Sequence, residues 1–324
     1  MFLMTADIKL GDFKPVKPHA LKWSRSVNKF SDTCSIKLPA ISMMKKEGDT
    51  YEQVETGLQL KEGMKVEVLA GYNGNNALRF KGFIRRKNYQ VPLELECEGY
   101  SYQLRTKEGF SCSYKSIKLK ELLAALTKGT DIVLSDAIPD MTLQNIRFKN
   151  VKGTEVLEYL KDKCLLTVCF DFEVLYVGLK MADIKSVAKF QLGWNVIKDS
   201  ELKFETNKEL ASVNIQIEKR EKTGKKKRGK TEIKDGSIKK IQVRHITDEA
   251  SLKKIAEEKR KELVNRGYEG KITAFLFPYV EPGMSASIID KKFPERTGNY
   301  FIESVEGEFS SSGGRQKITI GASL

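Results

Sequence analysis

The sequence predicts an α+β protein that is mainly β, with two antiparallel β-barrel domains flanking a small α+β domain. Three observations carry this expectation. Short apolar/polar runs of period two, broken by Gly, Pro, Asn or Ser turns, dominate both ends of the chain. Apolar residues at helical spacing are confined to the middle and to one stretch after residue 247. The 324 residues exceed one ordinary domain, and a hydrophobic content of 40% can fill several cores. The expected boundaries are 1–100, 101–183 and 184–324, with a basic hairpin over 218–244 and a helix over 247–266 in the last.

From Met1 to about Pro39 the pattern is irregular, ending in the strand-like Cys34 to Leu38, with Trp23 and Phe30 as core aromatics. Met64, Val66 and Val68 alternate with charges, Asn73 to Asn76 makes a turn, and Leu78, Phe80, Gly82 and Ile84 run back, which predicts a β-hairpin. Leu93, Leu95 and Cys97 alternate with Glu94, Glu96 and Glu98, and the apolar set then shifts phase to Tyr100, Tyr102 and Leu104. A bulge at Gly99 accounts for the shift, and the three glutamates read as one solvated strand face.

Helical spacing follows at Leu119, Leu122, Leu123 and Leu126, with Gly129 as the C-terminal stop. Val156, Leu157 and Leu160 mark a second helix, capped by Thr154. Leu166 to Phe170 and Val174 to Leu179 read as a strand pair with a turn near Asp171. Val213, Ile215 and Ile217 on one side and Ile241 and Val243 on the other read as the two arms of a long hairpin. The third helix has Asp248 and Glu249 at its start, a stripe of Leu252, Ile255, Ala256 and Leu263, and Gly267 at its end. Met284 to Ile288, Phe301 to Phe309 and Ile318 to Ile320 are the closing strands, which a closed or rolled sheet would accommodate.

Charge is concentrated in one place. Between Glu218 and Arg244 there are twelve Lys or Arg against four Asp or Glu, a balance of +8, which leaves only +6 of the total +14 for the rest of the chain. Within that stretch Lys225, Lys226, Lys227, Arg228 and Lys230 are the candidate partner-binding residues. Three readings fit them: a solvated loop, a dock for an acidic protein, or a salt-sensitive, sequence-blind nucleic-acid contact. No aromatic residue interleaves the lysines to stack bases, which makes direct nucleic-acid binding the weakest of the three.

No catalytic, cofactor-binding or metal residues emerge. His19 and His245 are the only histidines, and neither has metal-ligand spacing to a cysteine or to the other. Gly229-Lys230-Thr231 has the letters of a phosphate loop without the spaced glycine or preceding strand. Asp290, Glu295, Glu303, Glu306 and Glu308 read as water-facing strand positions. Cys34, Cys97, Cys112, Cys164 and Cys169 form no C-x-x-C pair and read as buried free thiols. The start of the chain carries no signal-peptide pattern and no apolar run long enough to span a membrane, so synthesis in a reducing cytoplasm without a membrane partner is expected.

The order of these patterns resembles phage tail hub proteins of the late control protein D family, the Mu-like baseplate hubs of contractile tails, and the hub part of type VI secretion spike proteins. At the first end the likeness rests on Gly63, Met64, Val66, Val68, Phe80, Gly82 and Ile84. At the other it rests on Pro282, Gly283, Met284, Asp290, Gly298, Tyr300, Ile302 to Val305, Gly313 and Gly314. The I-P-D-M-T-L run and the strands ending Leu-Tyr-Val-Gly between them resemble the small α/β modules of such hubs. The resemblance implies tube-like barrels and a non-enzymatic structural protein of the tail baseplate in a phage or prophage virion. It also implies a homotrimer whose two barrels per copy mimic six tube subunits, joining a sixfold tail tube protein to a threefold spike protein, with a tape-measure protein as a further candidate partner. A nucleic-acid-binding protein using 218–244 is the alternative.

Overall fold

A computed structural model describes residues 3–45, 50–180, 184–205, 214–219, 238–263 and 267–324. The first part of the chain holds β1 (Met4–Leu10), β2 (Ala20–Ser26), β3 (Lys29–Leu38), β4 (Ile41–Lys45), β5 (Tyr51–Glu55), the single turn α1 (Thr56–Gln59), β6 (Lys65–Tyr72), β7 (Asn75–Asn88) and β8 (Leu93–Glu98). The middle holds α2 (Ser101–Thr106), β9 (Phe110–Lys118), α3 (Leu119–Thr127), β10 (Val133–Leu134), β11 (Thr142–Val151), α4 (Gly153–Cys164), β12 (Thr167–Asp171) and β13 (Val174–Gly178). The last part holds β14 (Val187–Gln191), β15 (Val196–Glu205), β16 (Asn214–Lys219), β17 (Ile238–Val243), α5 (Glu249–Leu263), β18 (Gly267–Phe275), β19 (Ser285–Ile289), β20 (Gly298–Ser310) and β21 (Gly313–Ser323). The protein is thus α+β and mainly β.

Both ends of the chain meet in one sheet of 12 strands, whose main path runs β1-β6-β7-β8-β3-β2-β20-β21-β18-β15. The long strand β20 makes the join. Along one edge it pairs first with β19, from Gly298 to Phe301, and then with β2, from Ser304 to Phe309, while β21 occupies its other edge. The two strand systems expected from the sequence therefore share a continuous hydrogen-bond ladder.

Three apolar cores lie along this frame. Ile8, Leu21, Trp23, Ile36, Val68, Phe80 and Leu95 form one, and Leu276 reaches into it from the last part of the chain. Phe190, Ile272, Ile288, Phe301, Ile302 and Ile318 form another. The third gathers Leu119, Leu122 and Leu123 of α3 with Val156, Leu157 and Leu160 of α4. Val243, Ile246 and Ile255 join this middle core, so the run into α5 packs on the middle of the molecule.

The hairpin of β6 and β7 forms as its turn residues dictate: Asn73 and Gly74 both take positive φ, 54° and 80°, which suits a tight two-residue connection. The strands expected at 166–179 also pair antiparallel, as β12 and β13. Gly129 adopts a φ of 77° just beyond α3.

Four expectations change. The opening 39 residues contain three regular strands, whose period is obscured in the sequence by Arg25 at an apolar-face position and by the small Ala6 in β1. Gly99 is not a bulge: β8 ends at Glu98, the amide of Gly99 donates to the Asp32 carbonyl at 2.8 Å, and Tyr102 and Leu104 lie on the turn of α2. Glu98 accordingly leaves the solvated face and is buried against Ser101 and Arg105. Thr154 does not cap α4; Lys152 holds that position, its amide donating to the Glu155 carboxylate at 3.1 Å. Finally, β16 and β17 pair in parallel, so they are not the two arms of a simple hairpin.

Two features fasten the seam between β2 and β20. Trp23 lies directly opposite Gly307, and a Cβ at Gly307 would come within 2.0 Å of the indole ring. Close packing leaves no room for that atom. Next along the same face, the buried Arg25 meets Asp32 at 3.3 Å, Asp171 at 2.8 Å and Glu281 at 3.5 Å, with its guanidinium 3.9 Å from the centre of the Phe172 ring. These partners come from the first, middle and last parts of the chain. Burial opposes the charge on Arg25, but the three carboxylates outweigh it and hold the proton more tightly than usual. At Asp32 burial prevails over the one Arg25 contact and pushes the carboxyl up to about 6. The two partners thus respond differently because Arg25 has three counter-charges and Asp32 has one.

Two outcomes follow for the seam. Gly307→Val should lower stability by about 1–3 kcal/mol, as overpacking does, and an unchanged melting temperature would show that Trp23 does not depend on the gap. Arg25→Leu strands the buried Asp32 charge and should cost about 3–5 kcal/mol in denaturant unfolding. The raised Asp32 group favours the folded state below its ordinary range near 3.8 and loses that contribution as pH rises through about 6. The melting-temperature advantage of the native chain over Asp32→Asn should therefore shrink from about pH 4 to about pH 6 and level off above that; a widening gap would contradict the assignment.

Candidate functional site

Strand periodicity places Leu21, Trp23 and Arg25 on the core side of β2 and leaves Lys22, Ser24 and Ser26 on the other. The same alternation runs through β3, β8, β20 and β21, so the sheet presents one continuous polar face across the seam. Cross-strand register sets out its chemistry. One row runs Glu96, Ser35, Lys22, Glu308, Arg315, each directly opposite the next. The neighbouring row runs Thr33, Ser24, Glu306, Lys317, Thr273.

Opposite charges therefore face one another on both sides of β20. Each such cross-strand pair is worth roughly 0.2–1 kcal/mol. Further ion pairs extend the pattern: Lys317 meets Glu201 at 2.8 Å, and Lys271 meets Glu306 at 3.5 Å. Glu201 is held below the ordinary carboxylate range by the hydrogen bond from Lys317. A concavity of about 900 Å³ lies on this face, lined by Lys22, Ser24, Glu96, Glu306 and Lys317 among others. Its sides hold paired charges and short hydroxyls beside apolar surface that includes the exposed Ile197.

The candidate partner-binding residues Lys225, Lys226, Lys227, Arg228 and Lys230 lie outside the described residues, as does the G-K-T run. The chain leaving β17 is described, and it is tied to the middle of the molecule. Arg244 donates its amide to the Lys163 carbonyl at 2.8 Å, and the Gln144 amide donates to the His245 carbonyl at 2.8 Å. His245 Nδ1 lies 2.6 Å from the Gln144 carbonyl and Nε2 lies 2.6 Å from the Tyr159 hydroxyl. A carbonyl only accepts, so Nδ1 donates to Gln144, while Nε2 shares a hydrogen bond with the Tyr159 hydroxyl. Both ring nitrogens of His245 are thereby engaged in holding this segment.

The water-facing reading of the late carboxylates divides. Glu306 and Glu308 are exposed on the polar face, whereas Asp290 is buried. Its carboxylate accepts from the Tyr268 hydroxyl at 2.9 Å and from the amides of Lys292 and Phe293, which fixes the turn after β19. Among the described residues no group of three or more His, Cys, Asp or Glu is placed to hold a metal ion. All five cysteines are free thiols, with Cys34, Cys97 and Cys164 buried.

Sequence reading missed the polar face as a unit and missed Arg25. The face was visible only as separate strand alternations, because register between residues near 25 and residues near 305 leaves no local trace. Arg25 had a signal: in L-K-W-S-R-S it continues the phase of Leu21 and Trp23, where an apolar residue is expected.

No protein-family model matches the chain, and no curated protein matches it. Solved structures do. The tail protein from Neisseria meningitidis aligns with a TM-score of 0.65 at 13% identity, covering 98% of this chain and 96% of its own. The 43 kDa tail protein of prophage MuSo2 from Shewanella oneidensis gives 0.64 at 15% identity, covering 98% of each chain. An E. coli component of the type VI secretion system, described as similar to bacteriophage T4 tail proteins, gives 0.59 at 10% identity over 97% of this chain and 76% of that one. Across nearly its whole length, the chain has the fold of phage tail proteins and of their type VI secretion counterparts.

Proposed function

We propose that this chain is a structural, non-enzymatic hub protein of a phage, prophage or related contractile tail. Three copies close a ring, and the ring joins a sixfold tail tube to a threefold spike. The observation that carries the reading is the shared ladder at β20, which makes two strand systems from distant parts of the chain into one sheet. A protein with two such systems per copy can meet sixfold and threefold neighbours at once, because three copies present six sheet segments. The full-length likeness in fold to tail proteins supports the same reading.

In the ring the polar face of the sheet lines the central channel. Alternating, mutually paired charges suit a wall that must stay hydrated without gripping what passes. The ring contacts are head-to-tail, with the first part of one copy against the last part of the next, since only a heterologous contact closes on itself in this way. Open strand edges such as the outer edge of β14 are then covered by a neighbour.

Light scattering of the purified protein over a range of concentrations checks the ring. The expected mass at high concentration is three times 36.7 kDa. A monomer at every concentration, with DNA retarded in low salt through the basic stretch, would contradict it.

A further inference from the structure

Cys34 on β3 and Cys97 on β8 lie directly opposite one another in the antiparallel register. Both point to the core side, with relative exposures of 4% and 3%, in the same apolar cluster. They sit in a row across the seam that reads Gly307, Trp23, Cys34, Cys97, Ile84. The other cysteines have no such neighbour in the described strands: Cys112 faces Phe148 and Cys169 faces Tyr176, while Cys164 ends α4.

We propose that Cys34 and Cys97 are a disulfide-forming pair that staples β3 to β8 when the protein meets a small-molecule disulfide oxidant. Directly opposed strand residues hold their Cβ atoms about 4.5–5.5 Å apart, and a disulfide needs about 3.5–4.5 Å. A slight closing of two adjacent strands covers the difference. This inference is independent of the ring and rests on the register alone.

The reaction is two exchanges. The thiolate of one cysteine attacks the oxidant's S–S bond, forming a mixed disulfide and releasing one small thiol. The second cysteine's thiolate attacks the protein-side sulfur, forming the Cys34–Cys97 bond and releasing the second small thiol. The two protons lost by the cysteines end on the two released thiols, and the oxidant takes up both electrons. Burial pushes both thiols well above their ordinary values, so thiolate is scarce in the closed fold. Exchange therefore runs during folding or when the strands open, and it is slow on the native protein.

The test refolds the full chain from denaturant in a mixture of oxidised and reduced glutathione, alkylates it under denaturing conditions, and maps peptides without reduction by mass spectrometry. The expected result is one cross-linked peptide pair containing Cys34 and Cys97, two fewer alkylated thiols than the five of the reduced chain, and a melting temperature several degrees higher. Cys97→Ala should abolish the link, and Cys112→Ala combined with Cys169→Ala should leave it intact. Five alkylated thiols, a link through any other cysteine, or glutathione retained on Cys34 or Cys97 would overturn the proposal. Should Cys97→Ala fail to fold, the peptide map of the native sequence decides by itself.

Discussion

The guanidinium of Arg25 stands where the first, middle and last parts of the chain come together, and much of the architecture depends on its being satisfied there. A buried cation is costly unless its charge and hydrogen-bonding capacity are met. Asp32, Asp171 and Glu281 meet it from three directions, and Phe172 lies against its flat face. Removing any of the three parts would leave charge in the interior. Arg25 therefore makes the relative placement of the parts conditional, in a way that apolar packing, being non-directional, would not.

A second buried arginine ties the first part of the chain to the last without a carboxylate. Arg79 donates to the carbonyls of Ala70 at 3.1 Å and Leu276 at 2.6 Å, and its guanidinium lies 5.0 Å from the centre of the Tyr279 ring. Burial brings its guanidinium down to about 10. The arrangement fixes the backbone of the very residue whose side chain enters the first core. Tyr72 assists by donating to the Gly314 carbonyl at 2.8 Å. Apolar insertion, hydrogen bonds and the ion cluster thus converge on one join, leaving the opposite face of the sheet free to be polar.

Most elements were legible in the sequence because they obey local rules. The turn at Asn73-Gly74, the stripe of α3 and the alternation of β19 to β21 each declare themselves within a dozen residues. What was not legible depends on distant partners. The alternation through Glu98 implied a solvated carboxylate, but Asp32 and α2 close over that position and Arg105 neutralises it. The arms around the basic stretch implied a hairpin, yet their direction is parallel, which period-two spacing alone cannot reveal. The polar face is the extreme case, since residues nearly three hundred positions apart become neighbours across β2 and β20. Its members looked like ordinary exposed strand residues, and only register made them one surface.

In the proposed ring the sheet, made continuous at β20, turns its polar face toward a threefold axis. Electron microscopy of the purified assembly, alone or on its spike, tests this most directly. The account predicts a ring of threefold symmetry with six sheet segments around a channel whose wall carries Lys22, Ser24, Glu306, Glu308 and Lys317. A ring with those residues on its outer surface or buried between copies, or a closed assembly of another symmetry, would contradict it.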